Sequence, residues 1–266
     1  MPLEKARISL SDLGLVRGYA VWEYLATYNG KPFKFEKHFA RLARSAKNLD
    51  IKLPITEASA LAQAKKLVSK NRISGDGSIK LVLTGGHSPN GISRQSNAST
   101  FYILAYPRER YPESYYQKGS KVITCDFQRQ FANSKTTSYI MAVRLQKLQQ
   151  QKKAIEILYT NNGQISECTR SNFFICKGNT IITPREGILA GVTRELALQL
   201  AKGKFKIEER PLRLAELKTA SEAFLTSTDR EIMPVVKVDS LRIGNGKVGP
   251  VTKQLIAAFR EYVAQY

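Results

Sequence analysis

Two residues, Lys135 and Glu167, have sequence neighbours that suit them to act on one cofactor. The lysine lies in a turn of small polar residues, 133–139, and the glutamate ends an extended segment just before an apolar strand. A lysine amine can form a Schiff base with an aldehyde, and a carboxylate can keep a pyridine nitrogen protonated so that the ring accepts electrons. The pair therefore suits a pyridoxal phosphate site. Because a solvated surface lysine and an exposed strand glutamate fit the same pattern, the surrounding elements must decide between these interpretations.

The composition describes a globular protein with enough apolar residues for a sizeable core. The chain has 266 residues, of which 42% are hydrophobic, and this length suits one large domain or two modest ones. No apolar run reaches the roughly 18 residues of a membrane span, and no apolar stretch of a signal peptide follows the charged N-terminal residues. We therefore expect a cytoplasmic protein with no membrane partner.

The charge and the metal-ligating residues exclude several kinds of site. The three cysteines lack CxxC spacing and only two histidines are present, which argues against a disulfide framework and against a metal site with ligands close in sequence. The net charge is +20, from 42 Lys and Arg against 22 Asp and Glu. Since the basic residues form no arm or RNP-like strand, we expect no specific nucleic-acid partner. The charge fits either solubility or a surface that attracts dicarboxylates and a phosphorylated cofactor.

Residues 1–106 predict a small α+β domain. Asn29-Gly30 lies between two strand-like runs and is a strong hairpin signal. Phe39, Leu42 and Leu49 recur at nearly helical spacing, and a second helix is predicted over about 56–71. The predicted strands are 7–10, 19–28, 32–35, 79–84 and 100–106.

Residues 107–118 predict an interdomain linker, because two prolines stand among charged residues and tyrosines without any period. Residues 119–266 predict a large α+β domain. Its predicted helices are 140–153 and 195–201, and its predicted strands are 121–125, 154–159, 171–176, 180–184 and 222–225.

The large domain contains two segments that suit a phosphate. Gly191 and Thr193 stand at a predicted helix start, where free backbone N–H groups and the positive end of the helix dipole favour an anion. Threonine also caps many ordinary helices. A hydroxyl cluster at residues 226–229 either completes a phosphate cup or caps a turn.

These segments together resemble the class IV (fold type IV) pyridoxal phosphate enzymes, which include branched-chain aminotransferases, D-amino-acid transaminases and aminodeoxychorismate lyases. The resemblance covers nearly the whole chain, from Asp12 to about Asp239, and six short motifs recur in the family's order. They are Gly-x-x-x-aromatic-Glu (18–23), His-x-x-Arg-Leu (38–42), the lysine turn, Glu-x-x-x-x-Asn-x-Phe (167–174), Ile-Leu-x-Gly-x-Thr-Arg (188–194) and Thr-Ser-Thr (226–228) with Pro234 beyond it.

The resemblance implies a role for each matching residue. Lys135 is expected to form the Schiff base and to move the proton, and Glu167 is expected to pair with the pyridinium nitrogen. The expected phosphate ligands are Arg41, the backbone N–H groups of Val192 and Thr193, and the hydroxyls of Ser227 and Thr228. Tyr139 is expected near the phenolic oxygen of the ring, although it lies one position off the spacing of branched-chain enzymes.

The implied fold has two α+β domains with the cofactor between them. The implied assembly is a homodimer with active sites near the subunit interface, so that Arg17 and Trp22 are expected near a cofactor. Two departures from the family pattern stand out. The usual first strand before Asp12 is largely missing, and Arg170 replaces a residue that is more often small.

The implied activity is transamination between D-amino acids and 2-oxo acids such as 2-oxoglutarate. In D-amino-acid transaminases the substrate carboxylate is held by an Arg and a His, whose positions here carry Asn90 and Ile92. Arg17 and Arg170 are expected to replace them, with Lys80 as a third candidate; alternatively, Arg17 pairs with Asp12 and Arg170 faces solvent. Three other functions remain open: branched-chain L-amino-acid transamination, aminodeoxychorismate lyase action, and a basic binding module without catalysis, although the presence of both Lys135 and Glu167 argues against the last.

Overall fold

The computed structural model describes residues 1–73, 75–95 and 97–266, which divide into two units. The first unit comprises Met1–Arg108 together with Ser134–Tyr139, and the second comprises Glu109–Asn133 and Ile140–Tyr266. The segment with Lys135 therefore belongs to the first unit, whereas the predicted boundaries placed it in the large domain. Among the described residues, no helix is long and apolar enough to cross a bilayer.

The first unit is a four-stranded antiparallel sheet with helices on one face. The strand order in the described residues is β2-β1-β3-β4. Its elements are a 3-10 helix (Leu3–Lys5), α1 (Leu13–Arg17), β1 (Ala20–Tyr28), β2 (Lys31–Pro32), α2 (Phe35–Asn48), α3 (Glu57–Lys70), β3 (Gly77–Thr84) and β4 (Thr100–Pro107).

One local prediction for this unit, a hairpin, is confirmed, and another, a strand, is wrong. The hairpin at Asn29-Gly30 is confirmed, since both residues have positive φ, 51° and 72°, as a tight hairpin turn requires. The predicted strand at 7–10 is wrong. These residues are exposed and have no partner strand in the described structure. Their alternating apolar side chains therefore do not pack against a core.

The core of the first unit lies between the sheet and helices α2 and α3. One face of β1 and β3 contributes alternate apolar side chains, and the two helices cover them. Complete burial of one such side chain stabilises the fold by roughly 1.5–3 kcal/mol. The principal members are Val21, Leu25, Leu42, Ala60, Ala64, Ile79, Leu81 and Leu83.

The lysine segment Ser134–Tyr139 completes the edge of this sheet. β2 pairs only with Thr27 and Tyr28, at the end of β1. It therefore does not reach the first residues of β1. The backbone of the lysine segment takes this place through an antiparallel bridge between Val21 and Thr136. Trp22 N donates to Lys135 O at 2.9 Å, and Thr137 N donates to Ala20 O at 3.1 Å.

The second unit is built on a larger mixed sheet. Residues 109–118, predicted as a linker, pack here and contain a short helix with buried Tyr116. The predicted helix over 140–153 is two short helices with no buried side chain. The elements are α4 (Ser114–Lys118), β5 (Ser120–Asp126), α5 (Ile140–Arg144), α6 (Gln146–Gln151), β6 (Glu156–Asn161), β7 (Gln164–Cys168), β8 (Asn172–Lys177), β9 (Thr180–Thr183), α7 (Val192–Ala201), β10 (Lys206–Glu209), β11 (Leu212–Arg213), a 3-10 helix (Leu214–Thr219), β12 (Glu222–Ser227), β13 (Glu231–Val238), β14 (Leu241–Arg242) and α8 (Pro250–Ala264).

Part of this sheet closes on itself. In the described residues the path β8-β12-β13-β5-β6-β7 returns to β8, and the closing pair is Glu167 on β7 with Asn172 on β8. The residue predicted to bind the ring nitrogen therefore lies at the seam of a closed sheet, where strands on both sides restrict its backbone.

A buried ion pair supports the turn between these two closing strands. The Arg230 guanidinium lies 3.0 Å from the carboxylate of Glu156, and both side chains are at most 1% exposed. Thr169 and Ser171, which belong to the turn, donate hydroxyl hydrogen bonds to the same carboxylate. Arg230 also lies over the ring of Tyr111, at 4.9 Å from its centroid.

Replacement of Arg230 by Met is expected to destabilise the protein by about 3–5 kcal/mol, because it removes the buried cation of Glu156 and leaves only the half-exposed Arg170 guanidinium, 3.8 Å from the carboxylate. Urea unfolding followed by circular dichroism measures the change. The double variant Arg230→Met/Glu156→Gln removes the uncompensated charge and is expected to recover much of the loss. Equal stability of the single and double variants would contradict this account.

Candidate active site

Trp22 organises the residues around Lys135 in the first unit. Its indole N–H donates to Thr136 O at 3.0 Å, and the Lys135 ammonium lies 4.2 Å from the ring centroid. Lys80 Nζ lies 4.9 Å from the same centroid, and the ring of Tyr139 packs edge-on against the indole at 5.7 Å. Four of the predicted site residues therefore meet on one side of the sheet.

The turn that carries Lys135 is also held from α2. Lys135 N donates to the buried hydroxyl of Ser45 at 3.1 Å, and Asn48 donates to Ser134 Oγ at 2.9 Å. Gly18 begins this region with a φ of 64°, a conformation that glycine adopts without strain. Its carbonyl accepts from Thr137 Oγ1. The backbone beneath the lysine is consequently fixed at both ends.

Arg41 lies on the opposite side of β1, in a buried charged cluster. His38 and Arg41 are one helical turn apart on α2 and both reach Glu23, which is fully buried. Arg41 Nε and Nη2 donate to the two Glu23 oxygens at 2.7 and 2.8 Å, and His38 Nδ1 lies 2.8 Å from Oε2. The sequence predicted Arg41 as a phosphate ligand and did not identify the carboxylate that orients its guanidinium.

The pKa values in this cluster follow from burial and charge. Burial alone would raise the pKa of Glu23, but the charge and hydrogen bonds of Arg41, together with His38, lower it to about 2. Burial lowers the pKa of His38, an effect that the Glu23 hydrogen bond only partly offsets. The cluster is thus a carboxylate with a guanidinium and a neutral imidazole at neutral pH.

Glu167 lies in the second unit with both carboxylate oxygens held. Arg129 Nε donates to Oε1 at 2.8 Å, and the backbone N–H of Leu189 donates to Oε2 at 2.9 Å. The glutamate is 5% exposed. Each carboxylate oxygen has two lone pairs, so these bonds leave it able to accept another proton donor.

The start of α7 lies beside the same strands. Asn172, which pairs with Glu167, donates to Leu189 O at 2.8 Å, and a Cβ on Gly191 would lie 2.2 Å from its Oδ1. Gly191 is the N-cap of α7 and supplies no side-chain cap. The backbone N–H groups of Val192 and Thr193 therefore lie at a helix N-terminus that has no side-chain cap. Such an N-terminus is suited to bind an anion.

Three hydroxyl residues lie at the end of the neighbouring strand β12 and just beyond it. Thr226 pairs with Asn172, and Ser227 and Thr228 follow it. Ser227 Oγ accepts from Arg230 N at 3.2 Å. The hydroxyl of Thr226 is buried and has no hydrogen-bond partner in the described part of the chain.

The predicted carboxylate-binding residues lie in different environments. Arg17 is exposed and donates to the carbonyl of Val16. It does not pair with Asp12, whose oxygens accept instead from Gly14 N, Thr84 Oγ1 and Thr100 Oγ1 in the described structure. Arg170, in the second unit, is exposed and has its Nε 3.8 Å from Glu156.

Comparison with known proteins identifies the family. The profile of the family described as Amino-transferase class IV matches residues 20–238, which is most of the chain. The chain belongs to the class IV aminotransferases. A D-alanine aminotransferase of Bacillus licheniformis is 33% identical over 273 residues, covering 99% of this chain and 94% of that protein. Branched-chain-amino-acid aminotransferase-like protein 2 of Arabidopsis thaliana is 34% identical over 274 residues, covering 98% of this chain and 48% of that protein.

The fold of this class IV aminotransferase is fold type IV, an α+β architecture, as predicted. The solved structure of the Escherichia coli branched-chain amino acid aminotransferase has a TM-score of 0.91 and 24% identity. The alignment covers 98% of this chain and 91% of that one.

The cofactor of the family is pyridoxal phosphate, and the residues present fit it. For an anionic group, the second unit contains the start of α7, which has no side-chain cap, and the buried hydroxyl of Thr226, which has no hydrogen-bond partner among the described residues. The second unit also contains the buried Glu167 carboxylate, which suits a pyridinium nitrogen. The first unit contains the amine of Lys135. Each unit by itself therefore contains groups whose chemistry suits part of this cofactor.

Sequence reasoning missed the residues that orient these groups. Arg129 precedes the lysine turn, but its contact with Glu167 joins residues distant in the chain. Ser45 and Asn48 were part of a predicted helix with no assigned role. A signal did exist for Glu23, since it ends the first family motif and is a charged residue among apolar ones in a predicted strand.

The Glu23 cluster gives the protein an acid-dependent stability. Because the pKa of Glu23 falls from 4.5 unfolded to about 2 folded, its contribution is present above pH 4.5 and is lost as the pH falls towards 2. Replacement of Glu23 by Gln is expected to cost about 3 kcal/mol at pH 7, at 1.36 kcal/mol per pKa unit, and progressively less at lower pH. Urea unfolding between pH 7 and pH 3 tests this.

The matched control is Glu36→Gln, which changes an exposed glutamate on the neighbouring helix α2. It should alter stability by a few tenths of a kcal/mol at most. A pH-independent difference between Glu23→Gln and the parent protein would contradict the proposed state of the cluster.

Proposed function

We propose that this class IV aminotransferase transfers the amino group between D-amino acids and 2-oxo acids such as 2-oxoglutarate, as a homodimer. Pyridoxal phosphate supplies an electron sink and an aldehyde carbon that carries the amino group between the two substrates. Lys135 attaches the cofactor and moves the proton at the substrate Cα. Glu167 keeps the ring nitrogen protonated, and Trp22 and Tyr139 border the lysine.

The phosphate is bound in this proposal by Arg41 and by the second-unit groups at Val192, Thr193, Ser227 and Thr228. The buried Glu23 carboxylate supports the assignment of Arg41, since two hydrogen bonds fix the orientation of its guanidinium. An oriented donor loses less entropy when it binds an anion. The uncapped helix start supports the assignment of the backbone N–H groups.

The observation that carries the preference for D-amino acids is the position of Arg17. A side chain at Gly91 would begin 3.4 Å from the Arg17 guanidinium, so this cation lies against the loop that contains Asn90 and Ile92. In D-amino-acid transaminases, the Arg and the His that bind the substrate carboxylate stand at the positions of Asn90 and Ile92. Asn90 is instead engaged with Ser93 and the local backbone, and Ile92 is 73% exposed.

Lys80 and Arg170 are the two other cations proposed for the substrate carboxylate. Lys80 is supported by its place beside Lys135 at the Trp22 ring. Burial, and then the charge of Lys135, lower the pKa of Lys80, and a substrate carboxylate beside it would favour its charged form. Arg170 has weaker support, because its nearest acidic group is Glu156.

Branched-chain L-amino-acid transamination is the alternative, and the 34% identical Arabidopsis relative favours it as much as the Bacillus relative favours D-alanine. Aminodeoxychorismate lyase action has no specific observation in its favour. The chirality of the accepted amino acid distinguishes D-amino-acid transamination from branched-chain L-amino-acid transamination directly.

Lys135 is expected to be the only lysine that carries the cofactor. After borohydride reduction of the holoenzyme, peptide mapping should find the cofactor on Lys135, and Lys135→Ala should abolish turnover. Lys80→Met serves as the comparison, because it removes the other ammonium group at Trp22 and should retain attachment. Modification of a different lysine would exclude Lys135.

The substrate preference is tested by half-reactions with single amino acids. Mixing the holoenzyme with D-alanine or D-glutamate should change the absorbance of the bound cofactor, and Arg17→Gln should raise the apparent KM for these substrates about 10- to 150-fold, as expected for a lost charge-assisted hydrogen bond. The absorbance before substrate addition should stay the same.

The matched control is Arg7→Gln, which changes an exposed arginine of the N-terminal segment. It should leave the KM unchanged. Fast half-reactions with L-leucine and none with D-alanine or D-glutamate would replace the proposal by the branched-chain function.

A further inference from the structure

Arg129 is a buried arginine whose contacts lead to Glu167. Its side chain is 11% exposed, and its Nε donates to Glu167 Oε1 at 2.8 Å. Its Nη2 donates to the carbonyl of Ala132 at 2.7 Å. The second bond closes a local turn in which Phe131 has a positive φ of 50°. The turn and the ion pair therefore fix the guanidinium in one orientation.

A buried carboxylate needs such a partner to stay ionised. Removal from water disfavours the charged form of a glutamate, whereas a cation within hydrogen-bond distance favours it. Glu167 is 5% exposed, and the Arg129 guanidinium and the Leu189 N–H each donate to one of its oxygens. The charged partner is the larger of these two stabilising influences, because it adds the attraction between two opposite full charges to a charge-assisted hydrogen bond.

The protonation of Glu167 decides what it can do for a pyridine ring. An ionised carboxylate accepts the proton of a pyridinium nitrogen, and the ring then carries a positive charge that draws electrons. A neutral carboxylic acid instead donates its proton to an uncharged ring nitrogen. We infer that Arg129 is a positioning residue that keeps Glu167 ionised and oriented, and thereby keeps the ring nitrogen of the bound cofactor protonated. This inference rests on the proposed role of Glu167.

Cys168 and the pair of Glu156 and Arg230 bring no net charge to Glu167. Cys168, the next residue on β7, is buried, and burial raises its pKa well above the usual range, so it stays a neutral thiol. The Glu156 carboxylate and the Arg230 guanidinium lie beyond it and pair with each other. Arg129, by contrast, contacts Glu167 directly.

The first experiment uses the cofactor-free protein, so that it is independent of the proposed function. In Arg129→Gln the carboxylate is left buried without this cation, and its pKa in the folded state should rise above the unfolded value. Stability relative to the parent should then fall as the pH rises from about 5 to 8, since the unfolded state releases the proton more readily. Urea unfolding at several pH values measures this, and the double variant Arg129→Gln/Glu167→Gln should lose the pH dependence.

The second experiment observes the ring nitrogen itself. With ¹⁵N-labelled pyridoxal phosphate, the nitrogen chemical shift of the parent should be that of a pyridinium, and that of Arg129→Gln should move towards an unprotonated pyridine. The dissociation constant of the cofactor should rise about 10- to 150-fold. Arg129→Lys, which keeps the charge, should restore the pyridinium shift and the pH profile in part. It also provides a folded variant should Arg129→Gln fold poorly.

Arg260→Gln is the matched control, because Arg260 forms a two-bond ion pair with Glu113 at the surface of the same unit. It should change neither the nitrogen shift nor the pH profile. If Arg129→Gln behaves like this control, the inference is wrong. A pyridinium shift that survives Glu167→Gln would overturn both the role of Glu167 and this inference, whereas a preference for L-amino acids would affect only the proposed substrate.

Discussion

The two-residue period of strand β1 is the constraint on which the first unit depends. Successive side chains of a strand point to opposite faces, so Glu23 lies beneath α2 and Trp22 lies on the other face. The first orients Arg41, and the second meets the amine of Lys135. A register shift by one residue would exchange the two faces and lose both contacts at once. The nine residues of β1 therefore hold two proposed cofactor contacts on opposite sides of one backbone.

The second unit relies on the backbone of a single residue in a similar way. Glu167 and Asn172 face each other where the sheet closes, and they bind the N–H and the carbonyl of Leu189 respectively. A short stretch of chain leads from Leu189 to the start of α7. The proposed partner of the ring nitrogen and the proposed phosphate-binding N–H groups are consequently held at a fixed separation by hydrogen bonds that involve no flexible surface residue.

The sequence identified most elements whose signals are local. The hairpin at Asn29-Gly30 depends on backbone conformations that these two residues themselves determine, and this prediction is confirmed. The strand at 7–10 was wrong because alternation describes a strand only where a partner exists. The ion pair of Arg129 and Glu167 and the bridge of Val21 and Thr136 were missed, since tertiary packing alone brings these residues together. The family motifs named the proposed site residues, but not the partners that orient them.

The bridge between β1 and the lysine segment also has a consequence for synthesis of the chain. The hydrogen bond from Trp22 to Thr136 spans 114 residues, and translation proceeds at roughly 5–20 residues per second. On the ribosome, the edge of the sheet at residues 20–22 therefore waits roughly 5–20 seconds for its neighbour. Unpaired edges of this kind recruit strands of other chains. The arrival of the segment that carries Lys135 pairs this edge and so ends its availability to strands of other chains.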